Sequence, residues 1–284
     1  MASTSPRAAY RKAKTPWWAW AAGTLAIAGA LGIGIYLART GKEPVTEVLP
    51  PPSAVPQTDA QQASAPAIQH PITEADTGAA ADATPLPKLD ESDATIGEAL
   101  ASLLRGENLV GILNPQHVVQ RIVATIDSLP RQKLAADVLP IRGAQGMFGT
   151  ALEGDKRTID AKNSARYAGY AHIAQAVDAK ALVAWYVRFY PLFQEAYRQL
   201  GYPDGYFNDR LVFVIDHLLA TPDLTQPVAL TQPNVMYEFA DPALESRSAG
   251  QKMLLRSGPE NEAAIKAKLR EIRAALTGQG PPPA

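Results

Sequence analysis

The residues of this chain that could do chemistry crowd into one stretch. Beyond position 38, all fifteen aromatic residues lie between Phe148 and Phe239, and eight are tyrosines: Tyr167, Tyr170, Tyr186, Tyr190, Tyr197, Tyr202, Tyr206 and Tyr237. Two charged segments fall among them. One carries Tyr202, Asp204, Tyr206, Asn208, Asp209 and Arg210; the other carries Tyr237, Glu238, Asp241, Glu245, Arg247 and Lys252. Arg166 stands beside Tyr167. Tyrosine and arginine offer large rigid contact area and fixed donors, and so are favoured where proteins recognise partners. This composition points to a binding surface built from Arg166, Tyr167, Tyr202, Asp204, Tyr206, Asn208, Asp209, Arg210, Tyr237, Asp241, Glu245, Arg247 and Lys252. A plainer reading stands beside it: tyrosine hydroxyls finding partners at the edge of a core, with charges capping helices. Asp204, Asp209, Asp216, Glu238, Asp241 and Glu245 also offer carboxylate pairs of the kind that glycosidases use.

Much other chemistry is excluded. The chain has no cysteine, so disulfides and thiolate catalysis are ruled out. No phosphate-binding G-x-x-x-x-G-K-[ST] loop, dinucleotide G-x-G-x-x-G, nucleophile-elbow G-x-S-x-G or S-x-x-K pair occurs. His70, His117, His172 and His217 are scattered and none forms H-E-x-x-H, so neither a metal nor another cofactor is expected. With a net charge of −1 and no basic tract in the C-terminal part, nucleic acid is not an expected partner.

Helical periodicity must position these residues. Ile96, Leu100 and Leu103 share a face, with Asp93 or Thr95 as cap and Gly106 as stop. Asn114-Pro115 should open a second helix carrying Val119, Ile122, Ile126 and Leu129, ended by Pro130. Glu153-Gly154-Asp155 reads as the turn of a short hairpin. Asp160 and Asp178 are caps for the next two helices. The second of these carries Leu182, Tyr186, Phe189, Phe193, Ala196 and Leu200, and Pro191 should kink it or split it. Asn208 should cap a helix carrying Leu211, Ile215 and Leu218. Val228-Ala229-Leu230 and Val235-Met236-Tyr237 could pair as strands. Asp241-Pro242 should start a helix reaching about Leu255, and Gly258-Pro259 a final one with Ile265, Leu269, Ile272 and Leu276. The expected fold is a compact, mostly α domain over residues 88–276, with a few short β-strands and a tail from 277 to 284.

The remainder is organised differently. Residues 17–38 form an uncharged apolar run of 22 residues, long enough to cross the roughly 30 Å hydrocarbon core of a bilayer. Arg7, Arg11, Lys12 and Lys14 precede it without an acid, and only Arg39 and Lys42 follow closely. That bias keeps residues 1–16 in the cytoplasm and exports the rest. A cleaved signal peptide would share the basic start, but the run is too long for one and no good cleavage pattern follows. Ala22, Ala26, Ala30, Gly34 and Ala38 recur every four residues, a stripe through which two spans could form a homodimer. Residues 39–87 hold nine prolines, no aromatic residue, and six acids against two bases, the composition of a disordered tether.

One resemblance adds to this. The stretches Leu86-Pro87-Lys88-Leu89-Asp90-Glu91-Ser92-Asp93, Pro191 to Tyr197, Gly201-Tyr202-Pro203, Phe207 to Leu211, Ile215 to Leu219, and Tyr237 to Arg273 with Ser248-Ala249-Gly250-Gln251-Lys252 at its centre, resemble a bacterial envelope family known as domain of unknown function 3014. The likeness covers nearly all of residues 86–276. It implies a bacterial inner-membrane protein whose C-terminal domain is periplasmic, and it carries no catalytic residues. The expected function is a non-catalytic binding or scaffolding module of the cell envelope whose partner is an envelope protein or cell-wall component. The glycan- or peptide-acting enzyme is the alternative, and a sensor working through a partner is a third.

Overall fold

The structure is a computed structural model and describes residues 67–75, 85–104, 113–224 and 227–279. The expected span at 17–38, most of the tether, Gly106 and the end of the tail lie outside these residues. No helix among the described residues is long and apolar enough to cross a membrane.

The described residues hold eight α-helices and one small sheet. The helices are α1 (Asp93–Leu103), α2 (Val118–Ser128), α3 (Ala165–Ala176), α4 (Ala179–Gln199), α5 (Phe207–Leu219), α6 (Pro242–Glu245), α7 (Ala249–Ser257) and α8 (Pro259–Thr277). The strands are β1 (Thr150–Glu153), β2 (Lys156–Ile159), β3 (Ala229–Thr231) and β4 (Glu238–Phe239), antiparallel in the order β1-β2-β3-β4. Gly154 and Asp155 form the β1–β2 turn, and Gly154 takes the φ of +62° that such a turn requires.

α4 is the centre of the core. Val183, Tyr186, Phe189, Tyr190, Phe193, Ala196 and Tyr197 are all buried along it, and it packs against α2, α5 and α8. Phe193 stacks on Phe207 of α5 at 5.9 Å, and Tyr186 meets Phe193 edge-on at 5.2 Å. Pro191 does not split this helix, which runs unbroken through it. The ring lies on the exposed side, so the aromatic face stays continuous and its burial outweighs one lost backbone hydrogen bond. Leu200, expected on the stripe, is exposed.

Several caps differ from the sequence expectation. α2 begins at Val118, not after Pro115, because His117 adopts a left-handed φ of 53°. Its first amides are capped from another helix: the Asp93 carboxylate accepts the N–H groups of His117 (2.7 Å) and Val118 (2.8 Å). Asp93 therefore does not cap α1. Asn114 instead donates through Nδ2 to the Leu139 carbonyl. The helix expected from Asp241 to Leu255 is two, because Ser248 Oγ accepts the Gln251 N–H and restarts the chain as α7. Val235 and Met236 stand exposed in the β3–β4 turn, and the strand lies at Glu238–Phe239 instead. Asp178 caps α4 as expected, accepting from Ala181, whereas Asp160 caps the 3-10 turn Ala161–Ser164 that leads into α3, accepting from Lys162.

The folded part also starts earlier than Lys88. Residues 67–75, read above as tether, lie on the domain: Ile72 and Ala75 pack partly buried against the main core, and Ile72–Glu74 forms a 3-10 turn beside α8.

Candidate functional site

Asp127 organises a face on which three of the sequence-derived candidates, Tyr202, Arg210 and Arg247, meet. It continues the buried stripe of α2 by two steps of four, after Val119 and Val123, and its side chain is only 2% exposed. A buried carboxylate is tolerable only when paired and hydrogen-bonded. Arg131, one turn on, donates to it; Arg210 of α5 donates through Nε at 3.1 Å and through a terminal nitrogen to the Asp127 carbonyl at 2.8 Å. The Tyr202 hydroxyl donates to Asp127 at 3.2 Å and accepts from Arg131 at 3.1 Å. One carboxylate thus ties together α2, the turn before α5, and α5.

From Arg210 the face continues along α5. Spacings of three and four put Arg210, Phe213 and His217 on one side. The guanidinium of Arg210 lies 5.2 Å from the Phe213 ring centre, and the Phe213 and His217 rings are 6.2 Å apart. Phe213 is 52% exposed. His217 Nε2 is 2.9 Å from Ser248 Oγ. Burial, and then the positive charges of Arg210 and Arg247, push the His217 pKa down from its ordinary value. Arg247, next in the chain to Ser248, belongs to the same neighbourhood, and its Nε is buried without a hydrogen-bond partner among the described residues.

The second charged segment arrives here by main-chain contacts with the chain after α2. Ala249 N–H donates to the Arg131 carbonyl (2.7 Å), Gly250 N–H to the Leu129 carbonyl (2.9 Å), and Gln132 Nε2 to the Ser246 carbonyl (2.9 Å). Gly250 suits this approach: a Cβ would stand 2.6 Å from Leu218 Cδ2 and 3.1 Å from the Leu129 carbonyl oxygen, and the Leu218 side chain would have to shift. The two segments meet through residues 129–132. The result is a face of three guanidinium groups, one aspartate, a histidine and an exposed aromatic ring.

Tyr206, Asn208 and Asp209 serve a neighbouring clasp. Asn208 does not cap α5; it lies inside the helix, fully buried, and donates to the His70 carbonyl at 2.8 Å. Asp209 accepts the N–H groups of Gln69 and His70, and the Tyr206 hydroxyl accepts that of Ile72.

The remaining candidates are elsewhere. Arg166 holds residues 144–146 through their carbonyls and lies 5.4 Å from the Tyr167 ring centre. Tyr237 contacts Phe148 and Arg157. Lys252 and Glu245 form an internal pair at 2.7 Å. Burial raises the Glu245 pKa, but Lys252 and the Phe239 N–H outweigh it and hold the carboxyl below its usual range. Asp241 caps α6, and Asp204 is exposed in its turn.

The carboxylates expected for an enzyme have structural partners in most cases: Asp209 the clasp, Asp216 Arg273, Asp241 a cap and Glu245 Lys252. A cleft of about 290 Å³ is lined by Asp223 and Asp241, and Asp223 is paired with Lys266 at 2.6 Å. An apolar cavity of about 270 Å³ between α2, α4, α5 and α8 has no acidic residue among the described residues that line it. Among the described residues no group of three or more acidic or histidine side chains is placed to hold a metal.

Sequence reasoning missed Asp127, Arg131, Phe213 and His217 as members of the face. The readable signal was an acid at the next core position of α2, followed four residues later by an arginine.

The model of a family described as protein of unknown function (DUF3014) matches residues 118–273, more than half of the chain. No curated protein and no solved structure matches it.

Proposed function

This chain belongs to the DUF3014 family, and from that premise we propose that it is a non-catalytic binding or scaffolding module of the bacterial cell envelope. Residues 17–38 anchor it in the inner membrane with the N-terminus cytoplasmic and the domain periplasmic. The uncharged apolar run and the four bases ahead of it support this placement.

The observation that carries the binding reading is the convergence of Arg131, Arg210, Phe213, His217 and Arg247 on one face. Asp127 neutralises part of the positive charge while the Arg131 side chain remains 57% exposed. Guanidinium groups beside an exposed ring suit a carboxylate- or phosphate-bearing group on an envelope protein or cell-wall component. Paired spans through the Ala22 to Ala38 stripe would present two such faces from one dimer.

Affinity capture from detergent-solubilised membranes tests this reading. Phe213→Ala and Arg247→Ala should unfold at nearly the temperature of the unsubstituted chain and lose the captured partner. Normal capture by both variants would refute the recognition face. A reporter active only in the periplasm, fused after Ala284, should be active, and a silent one would overturn the topology.

A further inference from the structure

Residues 69–72 are held by their main chain. Asp209 takes the Gln69 N–H on one carboxylate oxygen (3.0 Å) and the His70 N–H on the other (2.7 Å). Asn208 Nδ2 donates to the His70 carbonyl (2.8 Å), and the Tyr206 hydroxyl accepts the Ile72 N–H (2.8 Å). Pro71 stands between them with φ −58° and ψ 134°, an extended, polyproline-like geometry, and its nitrogen has no hydrogen to place. All four hydrogen bonds run to backbone groups. The side-chain contribution is Ile72, laid partly buried against the core.

The receiving groups are positioned without this segment. Gln194 of α4 donates to the Gly205 carbonyl (2.7 Å) and accepts the Phe207 N–H (2.9 Å), which fixes the turn ahead of α5. The Tyr206 ring lies 5.6 Å from that of Tyr190. Asn208 and Asp209 belong to the first turn of α5. Asn208, whose Nδ2 meets the His70 carbonyl, keeps its Oδ1 buried with no donor among the described residues. A buried acceptor left unpaired is costly, so a ligand with a donor that reaches this oxygen would be held better than residues 69–72 are.

We infer that Tyr206, Asn208 and Asp209 form a site for an extended peptide of a partner protein, read through its main chain and filled in cis by residues 69–72. The matching ligand offers two consecutive N–H groups, a carbonyl on the second of those residues, a further N–H two residues on, and an apolar side chain at that last position. Main-chain contacts supply affinity and the apolar contact supplies selectivity, as in other modes of extended-peptide recognition. This goes beyond the face around Asp127: Phe213 and Arg247 take no part in it, so the two readings fail separately.

The test uses the full chain in detergent. His70→Pro removes one N–H that Asp209 receives, and hydrogen exchange at Gln69 and Ile72 should become fast. A fluorescent synthetic peptide of residues 67–75 should then bind this variant saturably by anisotropy. It should bind the unsubstituted chain at least about tenfold more weakly, because the cis segment competes at an effective concentration on the order of millimolar. Adding Asp209→Asn should abolish binding; if that variant melts early, Tyr206→Phe, which removes the acceptor of the Ile72 N–H, replaces it. Three results overturn the inference: residues 69–72 staying protected in His70→Pro, a released segment with no peptide binding, or binding indifferent to Asp209 and Tyr206. Dimers of the unsubstituted chain that the peptide dissolves would assign the site to a second copy and overturn the partner-protein reading.

Discussion

Replacing Asp127 with alanine is the sharpest probe of the candidate face. The substitution strips Arg131, Arg210 and Tyr202 of a common acceptor. Breaking a fully buried charge pair by removing one partner costs about 3 to 5 kcal/mol. Two features lower that here. The Arg131 side chain is 57% exposed and rehydrates readily. Asp127 also sits in the last turn of α2, where the helix dipole disfavours an anion by about 0.5 kcal/mol. The Arg210 contact to the Asp127 carbonyl survives the substitution. A loss of about 2 kcal/mol follows, the scale of one hydrogen bond to a charged group. For a domain of this size that lowers Tm by about 4 to 8 °C. Arg131→Ala removes an exposed partner and should cost no more than about 1 kcal/mol, and Arg210→Ala should fall between the two. Calorimetric unfolding of the three variants checks the order. A loss below about 0.5 kcal/mol for Asp127→Ala, or an Arg131→Ala loss equal to it, would refute the account of Asp127 as the buried tie.

Two further outcomes are expected. Lys266 is buried with Glu262, its Nζ 2.8 Å from that carboxylate and 2.5 Å from the Thr221 carbonyl oxygen. Lys266→Met should cost about 3 to 5 kcal/mol by leaving Glu262 buried and unpaired, and adding Glu262→Gln should recover much of it, as chemical denaturation will measure. His217 has a folded-state pKa below its ordinary value, so below about pH 6.5 the unfolded chain binds the proton more readily. Stability should fall as the pH drops through that window, and His217→Gln should flatten the fall; an unchanged pH profile in that variant would remove His217 as its cause.

What was legible in the sequence was local. The α4 stripe followed from spacing alone, and Asp160 and Asp178 capped their own segments because a cap needs only its neighbours. Asp93, Asn114 and Asn208 have the same capping chemistry but spend it on distant partners, which no local pattern reveals. The docking of residues 67–75 was hidden for a related reason: its hydrogen bonds use backbone groups, which every residue except proline carries alike. Tyr202 and Arg210 were legible as candidates by type. Their shared anchor was not, since a single aspartate on an apolar stripe reads as an ordinary helix residue until Arg210 is brought beside it by the fold.

The sheet has a consequence for the order in which the chain folds. Its two hairpin-like halves, β1–β2 and β3–β4, each close over a short loop, whereas the seam between them rests on two residue pairs, Arg157↔Leu230 and Thr158↔Ala229. Those partners are about seventy residues apart, and joining them early would restrict a long loop for little return. α3, α4 and α5 lie within that loop. The seam therefore closes after the helices have brought its ends together, and it is the part of the sheet that gives way first when they loosen. Its amides, beside those of the steadier helix α4, form a natural gauge of how tightly the helical core is assembled.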